Sequence, residues 1–432
     1  MRDPEAANDP LMATRRTLLA SVAAFAVGML LFGDYLALSL SRLATGTANN
    51  WLLFVAVLQP LALVALLAAG VARRRPPTSV MLGYAGLCVV ALGHAVPVWL
   101  AGNELGEYGT QKLLALLFTI GPALGCGCLL GSADRFVGAR LMPWLTAPLL
   151  AGCVLSLVQD PRLLTIEHYN NPPVHFGVLV MPTHQPLAFC LAKAALLVFA
   201  AERVLGDVGT RRVLRLAFVG VALGLVLLSG ARSYALALVA ALAVQALLGG
   251  RRFALILVGG ALASWLYQSY ASDLVQDRFD PARVVESLAY REREQAWQAA
   301  WEAFGDEPLF GVGVGGFAEA LGWHGRVYPH NLLLEIASEF GLLGLACLLA
   351  MLAVPLRQVF VALRSPGRPE VASVFAVGLL VFTVAGAMAV GDLIRNHCVF
   401  FAIGMCATLS RPGTVAATDD APASLPEGWQ RA

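Results

Sequence analysis

Apolar runs long enough to cross a bilayer recur along this chain, near 17–40, 51–71, 79–101, 112–131, 141–158, 185–203, 213–229, 232–249, 253–271, 332–354, 371–390 and 396–410. A bilayer core takes roughly 20 residues of helix, whereas a barrel strand needs only about 10, so runs of this length predict helices and exclude a barrel. Charge agrees: 13% of residues are charged, against about 25% in a soluble domain. The expectation is an all-α polytopic membrane protein with about twelve transmembrane helices.

Arginine placement then orients the chain. With the N-terminus inside, Arg15, Arg16, Arg73 to Arg75, Arg135, Arg140, Arg203, Arg211, Arg212, Arg251, Arg252, Arg357, Arg364 and Arg368 all fall on inside loops. The short outside connections hold only Arg42, Lys112, Arg162, Arg232 and Arg395. By the positive-inside rule both termini are expected to be cytoplasmic, with Arg15 and Arg16 flanking an uncleaved first span. The eight cysteines all lie inside apolar runs and read as small core residues, not as a disulfide framework or a metal cage.

Two longer segments are left on the outside. Residues 159–185 carry His168, His175 and His184, whose spacings fit no helical ligand pair, so a polar lid or re-entrant segment is expected. Residues 272–331 are the one sizeable non-spanning piece. The expected layout is thus spans one to nine in 1–271, the loop in 272–331, spans ten to twelve in 332–411, and a cytoplasmic tail in 412–432. Within the loop, 281–304 has helical periodicity, with Trp297, Ala300, Trp301 and Phe304 on one face and Arg291, Glu294 and Gln298 away from it. That pattern predicts an amphipathic helix lying at the membrane interface. Gly311, Gly313 and Gly316 then spell a GxGxxG pattern, but no strand precedes it, so it reads as a backbone-exposing turn that something bulky can approach closely.

The loop closes on Tyr328-Pro329-His330-Asn331. Pro329 cannot continue a helix and Asn331 can cap the next one, so a membrane helix should begin here with His330 at its boundary. A helix start favours an anion beside His330 and a neutral imidazole, ready to take a proton. The same residues serve equally as a plain cap and interface filler. Arg232, in a connection too short for more than a tight turn, projects to the same face, as do Arg291 or Arg293 and Arg395 beside Asp392. Arginine is disfavoured on that side of a membrane. Several guanidiniums around one imidazole suit a pyrophosphate-bearing lipid, because arginine forks match phosphate oxygens in bidentate fashion.

The run Arg293-Glu294-Gln295-Ala296-Trp297, the segment from Phe304 to Gly313, and His330-Asn331 through Gly344 resemble the signature of the O-antigen ligase and polymerase superfamily, and Leu228 to Ser233 resembles its SGSR element. Val314 replaces the usual proline of the glycine turn and Ala231 the second serine of the SGSR element, and neither change removes a charge. The resemblance implies a GT-C-like glycosyltransferase of the bacterial inner membrane whose site, on a periplasmic helical loop between spans nine and ten, moves a glycan from an undecaprenyl pyrophosphate donor. Without a soluble C-terminal domain, the chain most resembles the ligase, whose acceptor is the lipid A-core oligosaccharide; a polymerase or a protein O-oligosaccharyltransferase is the alternative. A lipid-linked glycan transporter fits less well, since such folds tend to show repeated halves about a central cytoplasmic loop.

The reading assigns His330 as the base and Arg232, Arg293, Arg291 and Arg395 to the diphosphate, with Asn331, Glu335 and Asp392 in support. Glu335 and Glu339, four residues apart, either orient His330 or pair within the bundle. No metal or other cofactor is expected, since fixed arginines can replace a divalent ion. Membrane lipid is an expected partner and nucleic acid is not.

Overall fold

The computed structural model describes residues 51–68, 75–131, 184–201, 210–228, 231–249, 288–320, 327–364 and 371–409, and these are helical apart from their connections, with no strand among them. In chain order the helices are α1 (Trp51–Ala68), α2 (Thr78–Leu100), α3 (Glu107–Gly131), α4 (His184–Ala201), α5 (Thr210–Leu228), α6 (Arg232–Gly249), α7 (Leu288–Asp306), α8 (Gly316–Ala320), α9 (Leu332–Arg364), α10 (Val371–Ala387) and α11 (His397–Ala407). Nine of the expected spans fall on described residues and each is a helix; those near 17–40, 141–158 and 253–271 lie outside the described residues, as do His168, His175 and Cys153. Among the described residues three helices, α2, α3 and α9, are both long and apolar enough to cross a membrane.

The core is built where small residues let helices approach. Along α3 and α11, Cys128, Ala402 and Cys406 are buried, and Thr408 of the segment after α11 donates its hydroxyl to the Cys128 carbonyl at 2.8 Å. Gln245 of α6 donates to the Val374 carbonyl of α10 at 3.1 Å. Side-chain amides and hydroxyls join helices this way where no water competes. Cys126, Cys128, Cys190, Cys398 and Cys406 are buried as core residues.

Two boundaries differ from the sequence expectation. The run beginning at 112 starts as a helix at Glu107, which puts Lys112 inside α3 and not in a connection. The run beginning at 332 continues to Arg364, ten residues past its expected end. Within α9, Gly341 is not helical (φ 62°, ψ −158°). The break releases the carbonyls of Ser338 and Glu339, which accept the N–H groups of Val312 and Gly313 at 2.8 and 3.1 Å. It also frees the N–H groups of Leu342 and Leu343, which donate to the carbonyls of Pro308 and Leu309 at 2.8 and 3.3 Å. What the glycine turn lets approach is therefore this chain's own membrane helix. The expected bulky visitor is replaced by backbone, and the turn is anchored further by His94 of α2, whose Nε2 lies 2.9 Å from the Phe310 carbonyl.

Gly341 cannot be exchanged cheaply. Its φ is left-handed, and a Cβ there would stand 2.5 Å from the Leu309 carbonyl carbon. Gly341→Ala is expected to cost at least ~1–3 kcal/mol from backbone strain alone, read as a Tm lowered by several degrees in detergent. An unchanged Tm would mean that α9 can straighten without loss.

Candidate active site at the start of α9

Asn331 begins α9 as the sequence predicts. Its Oδ1 accepts the N–H groups of Leu333 at 3.0 Å and Leu334 at 3.2 Å, covering two of the donors a helix start leaves open. His330, just before it, takes φ 54°, the one described non-glycine residue with positive φ. Such a conformation persists only where surroundings impose it. Here Trp297 of α7 donates its indole N–H to the Pro329 carbonyl at 2.7 Å, and the Tyr328 ring lies 4.3 Å from the imidazole. The ring is half-buried, and its Nδ1, buried, makes no hydrogen bond among the described residues. Burial, reinforced by the Arg293 charge and then Arg395, against Asp392, lowers the His330 pKa to about 4. The neutral ring expected from the helix start is found, with desolvation as its largest cause.

Helix α7 is what brings Arg293 there. It runs from Leu288 to Asp306, while residues 281–287 of the expected helix lie outside the described residues. Its buried side is Ala296, Ala300 and Ala303, with Ala296 and Ala300 packing against Phe317 and, across the gap, Leu334 of α9. Arg291, Glu294 and Gln298 are exposed, as expected, and Arg293 is half-buried. Of the two candidate arginines, Arg293 is thus the one whose charge reaches the imidazole. Trp301 is 62% exposed and rests against Phe304, ring centroids 5.5 Å apart. The alanines take the protein-facing stripe, where Ala296 and Ala300 pack against Phe317.

Arg232 is the first residue of α6, and its side chain lies outside the described residues, as do Ser229 and Gly230. Arg395 is exposed on the turn between α10 and α11. Asp392, on the same turn, accepts the Arg395 backbone N–H at 3.0 Å, so it shapes the turn through the main chain. Its other oxygen accepts the Tyr108 hydroxyl at 2.8 Å.

Glu335 and Glu339 resolve in favour of pairing. The Lys112 ammonium lies 2.6 Å from Glu335 Oε1 and 2.5 Å from Glu339 Oε1, all three side chains fully buried. Glu335 Oε2 accepts the Leu393 N–H at 2.8 Å. Glu335 therefore supports the turn that carries Arg395, through this link, and not by orienting the imidazole. Sequence reasoning missed Lys112 and Tyr108. The available signal was a lysine at the edge of an apolar run with two glutamates four residues apart in another, a match in charge that spacing alone cannot locate.

Residues 216–349 match the family model described as O-antigen ligase. This segment is similar to the O-antigen ligase family. The O-antigen ligase segment includes Arg232, Arg291, Arg293, His330, Asn331, Glu335 and Glu339, while Tyr108, Lys112, Asp392 and Arg395 come from flanking helices and turns. The family is associated with O-antigen ligase and polymerase enzymes, which supports an enzymatic role for this membrane protein in lipopolysaccharide chemistry. No curated protein and no solved structure matches the chain.

Proposed function

We propose that the chain is an O-antigen ligase that transfers glycan from undecaprenyl pyrophosphate to a hydroxyl of the lipid A-core oligosaccharide, at the periplasmic face of the bacterial inner membrane. The observation that carries this reading is His330 itself, a half-buried imidazole in left-handed backbone, kept neutral beside Arg293 and Arg395, within the segment that matches the O-antigen ligase family. About twelve spans and a periplasmic loop between the ninth and tenth complete the proposed layout. Exposed Trp301, Leu309 and Phe310 then lie at headgroup depth, where aromatic side chains are favoured.

In the reaction, the acceptor hydroxyl loses its proton to His330 as its oxygen bonds to the anomeric carbon of the donor. The bond from that carbon to the phosphate oxygen breaks, and undecaprenyl pyrophosphate departs with the electron pair. Arg232, Arg293 and Arg395 offset the charge developing on the diphosphate, and a sugar already activated in this way needs little beyond orientation and charge stabilisation. His330 then releases its proton to solvent.

Sugar analysis of lipopolysaccharide from a deletion strain tests the assignment. Loss of a ligase leaves bare core with polymer retained on the carrier. Core bearing a single repeat would identify a polymerase instead. Purified protein is further expected to keep its rate in excess EDTA, because guanidiniums do the neutralising; a reaction stopped by chelator and restored by magnesium or manganese would contradict the arginine clamp as sole source of positive charge.

A further inference from the structure

Tyr108 and Lys112 sit one helical turn apart on α3, and Glu335 and Glu339 one turn apart on α9. The two pairs face each other. Lys112 Nζ bridges both carboxylates and also lies 4.5 Å from the centre of the Tyr108 ring. From this block two hydrogen bonds reach the turn between α10 and α11: Tyr108 Oη donates to Asp392 Oδ2 at 2.8 Å, and the Leu393 N–H donates to Glu335 Oε2 at 2.8 Å. Asp392 in turn holds the Arg395 N–H, and Leu393 and Ile394 are buried while Arg395 alone in this stretch is exposed. A short turn with an exposed arginine is thereby fixed at two points, by Tyr108 from a helix 284 residues earlier in sequence and by Glu335 from α9.

We infer that Tyr108 and Lys112 are positioning residues, which set the place of Arg395 relative to His330 by tethering the Asp392–Arg395 turn to the first turns of α9. The inference rests on the proposed role of Arg395 in holding the donor diphosphate. Neither Tyr108 nor Lys112 touches substrate; each acts through a neighbour. Buried hydrogen bonds to a charged partner are among the stronger ones, and the geometry they hold is lost when one member is removed.

The test is the affinity of the purified full-length protein for undecaprenyl pyrophosphate. Tyr108→Phe removes one oxygen and keeps the ring, so Tm should hold while binding weakens about tenfold, as loss of a charge-assisted bond implies. Arg395→Ala should weaken binding as well. If Tyr108 works through Arg395, the double variant should bind no more weakly than Arg395→Ala alone; additive losses would overturn the inference. Lys112→Met by itself leaves two facing carboxylates and endangers the fold. Lys112→Met with Glu335→Gln and Glu339→Gln removes all three charges together, and wild-type affinity in that protein would take Lys112 out of the positioning role. Affinity lost in Arg395→Ala but kept in Tyr108→Phe overturns the tether alone. Affinity kept in Arg395→Ala shows instead that Arg395 is no part of the diphosphate site, and the inference falls with that reading.

Discussion

His330→Ala is expected to lose nearly all glycan transfer while still binding the pyrophosphate donor. The arginines proposed to hold the diphosphate remain, and what is removed is the imidazole at the start of α9 proposed to take the acceptor's proton. General-base catalysis contributes roughly 10²- to 10⁴-fold, which sets the size of the loss. His330→Gln separates this role from simple positioning, since an amide can donate or accept a hydrogen bond but takes no proton at useful pH. A glutamine variant working near the wild-type rate would make His330 a positioning residue. The pH profile is the second reading of the same group. With the pKa lowered to about 4, the active neutral form increases as pH rises through that value and is nearly complete by neutrality, so the rate should climb on the acid side and be flat around pH 7. The ordinary imidazole value is about 6.5, and an acid limb centred there would place the ring in water and remove the desolvation on which the argument depends.

The second large effect is expected at Arg293. Arg293→Ala should lower transfer by a factor of tens to hundreds, the equivalent of roughly 2–4 kcal/mol for one charge-stabilising group, with membrane expression unchanged because the side chain is only half-buried. Arg232→Ala should act in the same way. Lysine at either position should rescue in part, as an ammonium supplies charge without the two-pronged fork. Arg291→Ala serves as the control on the same helix, since Arg291 is exposed, and is expected to leave the rate near wild type. Equal losses at Arg291 and Arg293 would point to a general effect of charge on the helix in place of a specific contact, and full activity in Arg293→Ala would remove that arginine from the clamp.

What could be read in the sequence was whatever local chemistry decides. Run length decided the helices, and the proline followed by an asparagine decided where α9 begins, because a missing N–H and a capping carbonyl act within three residues of themselves. The place of His330 just ahead of that start was legible for the same reason. The interior charges were not. Lys112 stands at the edge of an apolar run, and counting loop charges assigned it to a connection, whereas its partners are 223 and 227 positions away in α9 and only packing brings them together. The break at Gly341 was hidden too, since the apolar run continues through it and an isolated glycine in such a run signals nothing by itself. Periodicity also defined the apolar face of α7 without showing which neighbour covers it: Ala296 and Ala300 pack against Phe317 while Trp301 is exposed.

The interlock between the glycine turn and the broken helix limits how this site can work. Four main-chain bonds run in both directions between residues 308–313 and 338–343, so the loop bearing α7 and the first turns of α9 behave as one mechanical body. A hinged cover at this point would have to part all four together. The spacing of Arg293 and His330 is accordingly set before any substrate arrives. An enzyme built this way spends little reorganisation when charge develops. In the proposed reaction the moving parts are then the two lipid-anchored glycans, sliding in the plane of the membrane toward a fixed frame.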